Sequence, residues 1–536
     1  MRHPRLIGVR PPRGAPVPIS VPAVPAPAPA PVSHSRLVPA LCLVTIVLAV
    51  LDSNIVSAAA VPLVRDLDPE GGLAKVPWLV TAFQLAATAA LPLYGKLCDT
   101  LGAKRVFLGA LGVFLLGSAL CGFAQSMPQL LAFRALQGIG GGGLMSITLV
   151  VLRLSARAAR ETAPPATPAP PPSRGAGAGG LVAGAGMALG PWVGGMLTEH
   201  LSWRWIFWVN LPVGLAVLLT AAAVLHLPDR PERRRVDYAG AALAAATTSS
   251  LLLTLEWGGD RWPWLAPPTL ALAAATLALL ALFLWRQATA PEPVLPLTLF
   301  RPRALRLGFA VQLLLGIGLT AAIVQVMLYL QVAHGLDSAS AGLFLLPMAA
   351  GMTVSGLLAQ RYATGRTRLP LALGTSGAAL GLALLATSTA HTPAWTTRGE
   401  LFVLGCGFGL LVGRLIQYAQ DTAPAGLLGV TTTAARFFQT LGGAAGAALG
   451  GVLLTRLTGL DGAAARGHDP STAVPGAALP FTGGIDTVFA CLAALMLLAT
   501  ALVLRLPSLP GRETSPGTAE PPPGLKDWAG AREGVN

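Results

Sequence analysis

The 536-residue chain is 53% hydrophobic and only 11% charged, and it carries a formal net charge of +14 at pH 7. Soluble domains carry about 25% charged residues, so this composition excludes an ordinary soluble protein and is typical of a chain that crosses a membrane many times. The basic residues lie mainly in the tails and in short connections, without a basic face interleaved with aromatic residues, so we expect no nucleic-acid partner.

The two ends of the chain are expected to be tails outside the membrane. Residues 1–36 are rich in proline, alanine and arginine and contain no hydrophobic segment, which predicts a disordered basic tail rather than a cleavable signal peptide. Residues 507–536 are predicted to form a second disordered tail. The five cysteines between the tails show no metal-ligand spacing, so no metal site is expected.

Apolar windows of about 20 residues predict fourteen transmembrane helices, which makes the chain an all-α polytopic membrane protein. The predicted spans are 38–62, 77–97, 105–124, 130–152, 177–198, 205–227, 237–256, 266–285, 306–331, 340–361, 370–390, 400–420, 427–454 and 484–505. Charged connections follow the sixth and the eighth spans. They divide the chain into an N-terminal six-helix bundle at 37–228, a linker with two extra transmembrane helices at 229–290 and a C-terminal six-helix bundle at 291–506.

The distribution of basic residues predicts how the chain is oriented in the membrane. Lysine and arginine are concentrated in the tails and in the connections on the same side as the N-terminus, and few lie on the other side. Basic connections remain in the cytoplasm. We therefore expect a multi-pass protein of the cell membrane with both termini cytoplasmic. The proline-rich segment 161–174 is expected to be an extended cytoplasmic loop.

The connection between the second and third spans carries a compact charged motif. It reads Gly95-Lys-Leu-Cys-Asp99-Thr-Leu-Gly102-Ala-Lys104-Arg105. Gly95 permits close approach of two helices, Asp99 can accept hydrogen bonds from a nearby helix start or pair with a base, and Gly102 permits a tight turn. Lys104 and Arg105 favour the cytoplasmic side. The motif resembles the signature loop of the major facilitator superfamily, which implies that fold and a gating role for the loop.

The fourth span begins with a second motif of this kind. It reads Arg134-Ala-Leu-Gln137-Gly138 and is similar to the motif R-x-x-Q-G of the same superfamily, in which the arginine is implicated in proton transfer. The resemblance implies a coupling role for Arg134 and a substrate or coupling contact for Gln137. An arginine near a helix end can also extend to the membrane interface without such a role, and this alternative stays open.

The fifth span is unusual for a helix because it is rich in glycine and proline. Its residues match the spacing G-x8-G-x3-G-P-x2-G-G, and they are Gly177, Gly186, Gly190, Pro191, Gly194 and Gly195. Glycines four residues apart form a strip on which another helix can pack closely, and the proline bends the helix. The spacing resembles the antiporter motif of the superfamily, which is characteristic of exporters. Helix packing alone is the other interpretation.

Ionisable residues within the predicted spans are candidate functional residues, because they are costly in a membrane. Asp52 lies near the middle of the first span, where a carboxyl group exposed to water from alternate sides could cycle a proton. It is the first candidate for proton coupling or for binding a cationic substrate, and a structural carboxyl group is the alternative. Arg414 and Arg436 are candidates for substrate or coupling contacts, although an arginine bonded to carbonyl groups would be structural.

Further segments narrow the resemblance within the superfamily to the fourteen-helix drug:proton antiporters. These segments are Leu51-Asp52-Ser53-Asn54, Glu292-Pro-Val-Leu-Pro-Leu-Thr-Leu-Phe300 and Leu441-Gly442-Gly443. The resemblance implies two six-helix bundles with two extra central helices. It also implies a proton-coupled secondary active exporter of amphipathic organic compounds, such as drugs or antibiotics, that works by alternating access.

The expected partners are a small-molecule substrate, protons and the lipid bilayer. No cofactor is expected, because the proton gradient would drive transport, and the protein is expected to be a monomer. A transporter of the same fold with narrow specificity for a metabolite, siderophore or amino acid is the alternative. An enzyme or a non-transporting sensor is disfavoured, since the sequence has no P-loop, no metalloprotease motif and no sizeable soluble domain.

Overall fold

The computed structural model describes residues 37–67, 76–161, 190–258, 261–362, 368–458 and 478–507, except for positions 191, 192, 195, 199, 226, 228–235, 335, 337, 390, 391 and 425. This part of the chain is built from α-helices and contains no β-strand. A short 3₁₀ helix at Leu297–Phe300 lies in the connection before the ninth predicted span.

The helices are numbered in chain order. They are α1 (Leu37–Leu67), α2 (Val76–Leu101), α3 (Ala103–Gly122), α4 (Met127–Glu161), α5 (Trp205–Trp208), α6 (Asn210–Val224), α7 (Tyr238–Trp257), α8 (Pro267–Thr289), α9 (Arg303–Ala333), α10 (Ser338–Phe344), α11 (Leu346–Tyr362), α12 (Arg368–Leu385), α13 (Ala394–Asp421), α14 (Leu428–Thr458) and α15 (Ala478–Leu504). Helices α1–α6 are called the N-terminal half and helices α9–α15 the C-terminal half.

Twelve of the predicted spans coincide with stretches of the described residues that are helical, long and apolar enough to cross a membrane. The first predicted span corresponds to α1, whose apolar part, Leu37–Asp52, is shorter. The fifth predicted span, at 177–198, and the proline-rich segment 161–174 lie almost entirely outside the described residues. The all-α polytopic architecture is confirmed, and the division into domains stays a prediction.

Two spans that the sequence predicts as continuous are interrupted, each next to a proline. The sixth span consists of α5 and α6, which meet at Val209, and Pro212 follows in the first turn of α6. The tenth span consists of α10 and α11, which meet at Leu345, two residues before Pro347. Proline has no N–H and cannot donate to the carbonyl group four residues before it. Each of these two prolines lies in the first turn of the following helix, where its missing N–H costs no bond within that helix, whereas Pro62 and Pro92 lie inside α1 and α2.

In the N-terminal half, α4 packs against α1, α2 and α3. Glycines allow the backbones of α4 and α2 to approach closely. A Cβ atom at Gly138 would lie 2.3 Å from the carbonyl oxygen of Phe83, and one at Gly142 would lie 2.2 Å from that of Ala87. Because a side chain at either position would push the helices apart, these glycines fix the α2–α4 pair that carries much of the candidate site.

In the C-terminal half, α9 packs against α14, and α13 packs against α11 and α12. Glycines again permit the closest contact, since a Cβ atom at Gly316 of α9 would lie 2.0 Å from the carbonyl oxygen of Gln439. A buried apolar cluster joins the helices of this half and includes Phe408, Phe489 and Met496. The half is therefore held together by close backbone contact and by apolar burial.

The two halves meet where α2 packs against α14, and the extra helix pair lies beside this contact. Helix α7 contacts both α2 and α14. It is joined to α8 by an ion pair between Arg286 Nη2 and Asp237 Oδ1 at 2.9 Å and by a 2.7 Å hydrogen bond between the hydroxyl groups of Ser250 and Thr276. The extra pair therefore packs on the boundary between the halves.

Candidate functional site

A fully buried network of polar side chains lies in the N-terminal half and is centred on Asp52 of α1. Its carboxylate accepts hydrogen bonds from Arg134 Nη1 at 3.0 Å, Gln137 Nε2 at 2.8 Å and Asn210 Nδ2 at 2.7 Å. Asn210 Nδ2 also donates to Ser118 Oγ at 3.1 Å. Each of these side chains is at most 1% exposed. Helices α1, α3, α4 and α6 therefore contribute to one cluster in which the charges of Asp52 and Arg134 cancel.

The guanidinium group of Arg134 is enclosed on several sides. In addition to its bond with Asp52, it donates to Gln137 Oε1 at 2.8 Å and, through Nε, to the carbonyl oxygen of Leu79 at 3.3 Å. Its Cζ atom lies 4.4 Å from the ring centroid of Phe83. An arginine bonded in this way does not extend to the membrane interface, so the structure favours a place in the network over that alternative.

Next to the network, a cavity of about 170 Å³ lies between the two halves. Phe83 forms part of its wall, so that one aromatic ring contacts both Arg134 and the cavity. Helix α14 of the C-terminal half contributes Arg436 and Thr440. The other lining residues come from α1, α2 and α4 and include Gln84, Leu91 and Met145. A ligand in this cavity would contact both halves at once.

Arg436 and Arg414 have different surroundings. Arg436 lines the cavity and donates from Nη1 to Gln439 Oε1 at 2.8 Å. No carboxylate of the described residues forms an ion pair with it. Arg414 donates through Nη2 to the carbonyl oxygen of Ala359 in the last turn of α11 and does not line the cavity. The structure thus places Arg436 where it can contact a ligand and places Arg414 on a helix terminus.

The signature loop joins the two halves. Asp99, near the end of α2, accepts hydrogen bonds from the backbone amides of Gly429 at 2.7 Å and Val430 at 2.9 Å in the first turn of α14. A carboxylate there satisfies N–H groups that have no partner within the helix and interacts favourably with the helix dipole. Gly95 permits the close approach, because a Cβ atom there would lie 2.1 Å from the hydroxyl oxygen of Thr433. The loop therefore caps a helix of the opposite half.

The rest of the loop turns the chain and contacts α6. Gly102 has a φ of 91°, in the left-handed region that glycine adopts without strain, and lies between α2 and α3. Lys104 Nζ donates to the carbonyl oxygen of Ala222 at 2.8 Å, in the last turn of α6. Arg105 is exposed in the first turn of α3. The loop therefore contacts the end of α6 through Lys104 and leaves Arg105 on the surface.

Ion pairs also join separate elements at this end of the molecule. Arg153 of α4 pairs with Asp421 of α13, and so connects the two halves directly. Lys96 of α2, whose side chain is 3% exposed, pairs through Nζ with Glu292 Oε2 at 2.7 Å in the segment between α8 and α9. The halves are thus closed against each other at the end that the sequence predicts to be cytoplasmic.

The C-terminal end of α1 carries an exposed acidic residue, Asp66. Asp66 Oδ2 accepts hydrogen bonds from Trp203 Nε1 at 3.0 Å and from Arg204 Nη1 at 2.9 Å. The hydrogen bond from Trp203 and, as the next largest contribution, the hydrogen bond from Arg204 lower the pKa of Asp66 from its ordinary value of 3.8. The contacts join α1 to the turn before α5.

Part of the fifth span can be compared with its prediction. Gly190 and Gly194 are helical and buried, and the carbonyl oxygen of Gly194 accepts a 2.6 Å hydrogen bond from the hydroxyl group of Thr198. The remaining residues of the predicted motif lie outside the described residues: Gly177, Gly186, Pro191 and Gly195. The glycine strip and the bend of this helix stay predictions.

Two members of the buried network are missing from the site predicted from sequence. The motifs identify Asp52 and Arg134 separately, but not Asn210 or Ser118 as their neighbours. Asn210 carries a usable signal, since it is a polar residue in an apolar span and lies two residues after the tryptophan-rich segment 202–208. Ser118 carries none, because small hydroxyl residues are common where membrane helices pack.

Comparison with known proteins identifies the family. Residues 41–447 match the Major Facilitator Superfamily, and the chain belongs to this family of membrane transporters. An MFS-type transporter of Mycobacterium tuberculosis is 32% identical over 440 residues, which are 81% of this chain and 62% of that protein. The chain therefore spans less than two thirds of the length of that relative.

Other relatives are named for drug export. The multidrug transporter protein MdtP of Bacillus subtilis is 30% identical over 411 residues, 76% of this chain and 73% of that protein. The tetracenomycin C resistance and export protein of Streptomyces glaucescens is 31% identical over 425 residues, 78% of this chain and 75% of that protein. The crystal structure of the human organic anion transporter MFSD10 superposes with a TM-score of 0.58 at 16% identity, over 88% of this chain and 99% of that chain, and shows the shared fold. The chain is thus a multi-pass member of the superfamily with multidrug and antibiotic efflux proteins among its relatives.

Proposed function

We propose that the chain is a proton-driven exporter of amphipathic organic compounds, such as drugs or antibiotics, that works by alternating access. The observation that carries the proposal is the buried Asp52–Arg134 pair beside a cavity lined from both halves. The names of the Bacillus and Streptomyces relatives support export as the direction of transport. The two halves would rock around the cavity and open it to each side in turn.

Asp52 is the proposed proton carrier. Its carboxylate accepts hydrogen bonds from three N–H donors, an arrangement that suits an ionised acid. A proton on Asp52 would leave Arg134 as an unpaired charge within the membrane, at a cost of about 2.5–3.5 kcal/mol on insertion scales. A rearrangement of α1 against α4 that exposes Arg134 to water or to another partner would relieve this cost. Protonation would thereby be coupled to a change of conformation.

Asn210 would serve both protonation states of Asp52. Its Nδ2 atom donates to the carboxylate, while its buried Oδ1 atom has no hydrogen-bond partner among the described residues. Rotation of the amide by half a turn would present Oδ1 to the carboxyl group instead. The oxygen could then accept a hydrogen bond from the protonated acid.

The contacts at the closed end support a proposal for the side on which protons enter and substrate leaves. Asp99 caps α14 and Arg153 pairs with Asp421 at the end that we propose to be cytoplasmic, together with both termini. With this end closed, protons would enter and substrate would leave on the opposite side. The fifth helix would seal the bundles against proton leak, as its resemblance to the antiporter motif implies. The proton gradient would replace any cofactor, and a monomer would be the working unit.

Proteoliposomes with an imposed pH gradient test the proposal. A panel of cationic, neutral and acidic amphipathic compounds is added, and proton flux is recorded with a pH-sensitive dye. We expect substrate-dependent proton flux in the wild type and its loss in Asp52→Asn. Asp66→Asn, the same change to an exposed carboxylate of α1, is the matched control and should keep the flux. Absence of flux with every compound, or equal flux in Asp52→Asn, would overturn the proposal.

A further inference from the structure

We propose that the cavity between the halves binds compounds that carry an anionic oxygen on an aromatic or apolar body, with Arg436 as the anchor of the anion. This inference rests on the proposed function, because it specifies the substrate class of the same cavity. Amphipathic compounds include acids, bases and neutral molecules, and the lining of the cavity discriminates among them.

Arg436 presents an unpaired positive charge to the cavity. A guanidinium group has five N–H donors, and the bond to Gln439 uses one of them. No carboxylate of the described residues pairs with Arg436. A charge within a membrane protein is costly without a counter-ion, and such charges face cavities and mark the paths of substrates or ions. An anionic ligand would supply the counter-ion and accept further hydrogen bonds.

The acid of the buried network does not fill this role. Asp52 is paired with Arg134 at 3.0 Å and is 0% exposed. Phe83, whose ring contacts Arg134, lines the cavity in place of that arginine. Because the charges of Asp52 and Arg134 cancel, Arg436 gives the cavity a net positive charge. The cavity therefore favours an anion over a cation.

The rest of the lining suits an apolar body. Phe83, Leu91 and Met145 offer aromatic, aliphatic and thioether surface. Gly141 adds no side chain, and a Cβ atom there would lie 2.7 Å from the Phe83 ring, so the glycine preserves the position of that ring. The volume of about 170 Å³ is similar to that of an engineered cavity of about 150 Å³ that binds benzene. In the closed state the cavity therefore accepts about one aromatic ring with its substituents.

A pair of compounds with the same shape and different charge tests the inference: para-tert-butylbenzoate and its primary amide. The protein is reconstituted in phosphatidylcholine nanodiscs without a pH gradient. The dissociation constant of each compound is measured at neutral pH by ligand-observed NMR, with empty nanodiscs as the blank. We expect the acid to bind at least about tenfold more tightly than the amide. Both can accept hydrogen bonds from Arg436, but only the carboxylate also neutralises its charge, and hydrogen bonds between charged groups are the stronger ones.

Three variants assign the preference to one side chain. Arg436→Gln should remove the difference between acid and amide, and Arg436→Lys, which keeps the charge, should retain part of it. Arg306→Gln makes the matched change at an exposed arginine in the first turn of α9 and should leave the difference unchanged. If Arg436→Gln does not give a monodisperse protein, the wild type and Arg436→Lys decide the outcome.

Equal binding of acid and amide by the wild type, or a preference that survives Arg436→Gln, would overturn the inference. Addition of phosphatidylglycerol separates a free substrate from a lipid headgroup of the same charge. Loss of the acid preference on its addition would assign Arg436 to the lipid and would also overturn the inference.

Because binding is measured without a gradient, the two proposals fail separately. Acid binding without any efflux would contradict only the proposed function, and efflux of cationic compounds without acid binding would contradict only this inference.

Discussion

Removal of the Asp99 carboxylate should weaken the closed end of the transporter. Asp99 accepts hydrogen bonds of 2.7 and 2.9 Å from the amides of Gly429 and Val430 in the first turn of α14. A hydrogen bond to a charged group contributes about 1.5–3 kcal/mol, and water replaces part of this where the side chain is half-buried. We therefore expect Asp99→Ala to destabilise the closed state by about 2–3 kcal/mol, which changes the ratio of closed to open molecules by roughly 30- to 150-fold.

Hydrogen–deuterium exchange of the protein in nanodiscs, read by mass spectrometry, measures this change. Peptides that cover the first turn of α14 should exchange faster in Asp99→Ala, because two amides lose their acceptors and the end opens more often. Peptides from α12 should exchange as in the wild type. Arg306→Gln, which removes an exposed charge at the same end, is the control and should not alter exchange in α14. Unchanged exchange of α14 in Asp99→Ala would refute the view that the loop holds this helix.

Two further predictions concern the ring beside the network and the exposed acidic residue Asp66. Phe83→Leu removes a cation–π contact with Arg134 that contributes about 0.5–2 kcal/mol. The protons moved per substrate in proteoliposomes should therefore fall, and an unchanged ratio would speak against a coupling role for the ring. The hydrogen bonds from Trp203 and Arg204 lower the pKa of Asp66, so their stabilisation is present above the ordinary pKa of 3.8 and is lost as the pH falls below it. Thermal unfolding of the wild type and Asp66→Asn should therefore differ at neutral pH and converge below 3.8, whereas a difference that grows there would contradict the assignment.

The spans and the signature loop could be predicted because each depends on local composition or spacing. The role expected of Asp99, as an acceptor for the amides of a nearby helix start, agrees with its contact with α14. The sequence could not identify that helix, because Gly429 is 330 residues away. The interruptions at Val209 and Leu345 are local features, but the sequence analysis does not predict them. Apolar windows measure hydrophobicity, and the missing N–H of a proline does not change it.

The buried network depends on helix packing rather than on local pattern. The partners of Asp52 lie 82, 85 and 158 residues along the chain, so their convergence required the arrangement of α1, α4 and α6. The same limit applies to Arg414 and Arg436, which are both single arginines in apolar spans. The contact between α13 and α11 places Arg414 on a carbonyl group, while the boundary with α2 and α4 places Arg436 in a cavity.

The most direct test of proton coupling compares two modes of transport in the same proteoliposomes, with the compound that the wild type moves best. Counterflow, the exchange of labelled for unlabelled compound without a pH gradient, requires only the change of conformation. Accumulation driven by a pH gradient also requires a proton carrier. We predict that Asp52→Asn retains counterflow and loses accumulation driven by the gradient. Accumulation at the wild-type level in Asp52→Asn would contradict the claim that Asp52 carries the coupled proton.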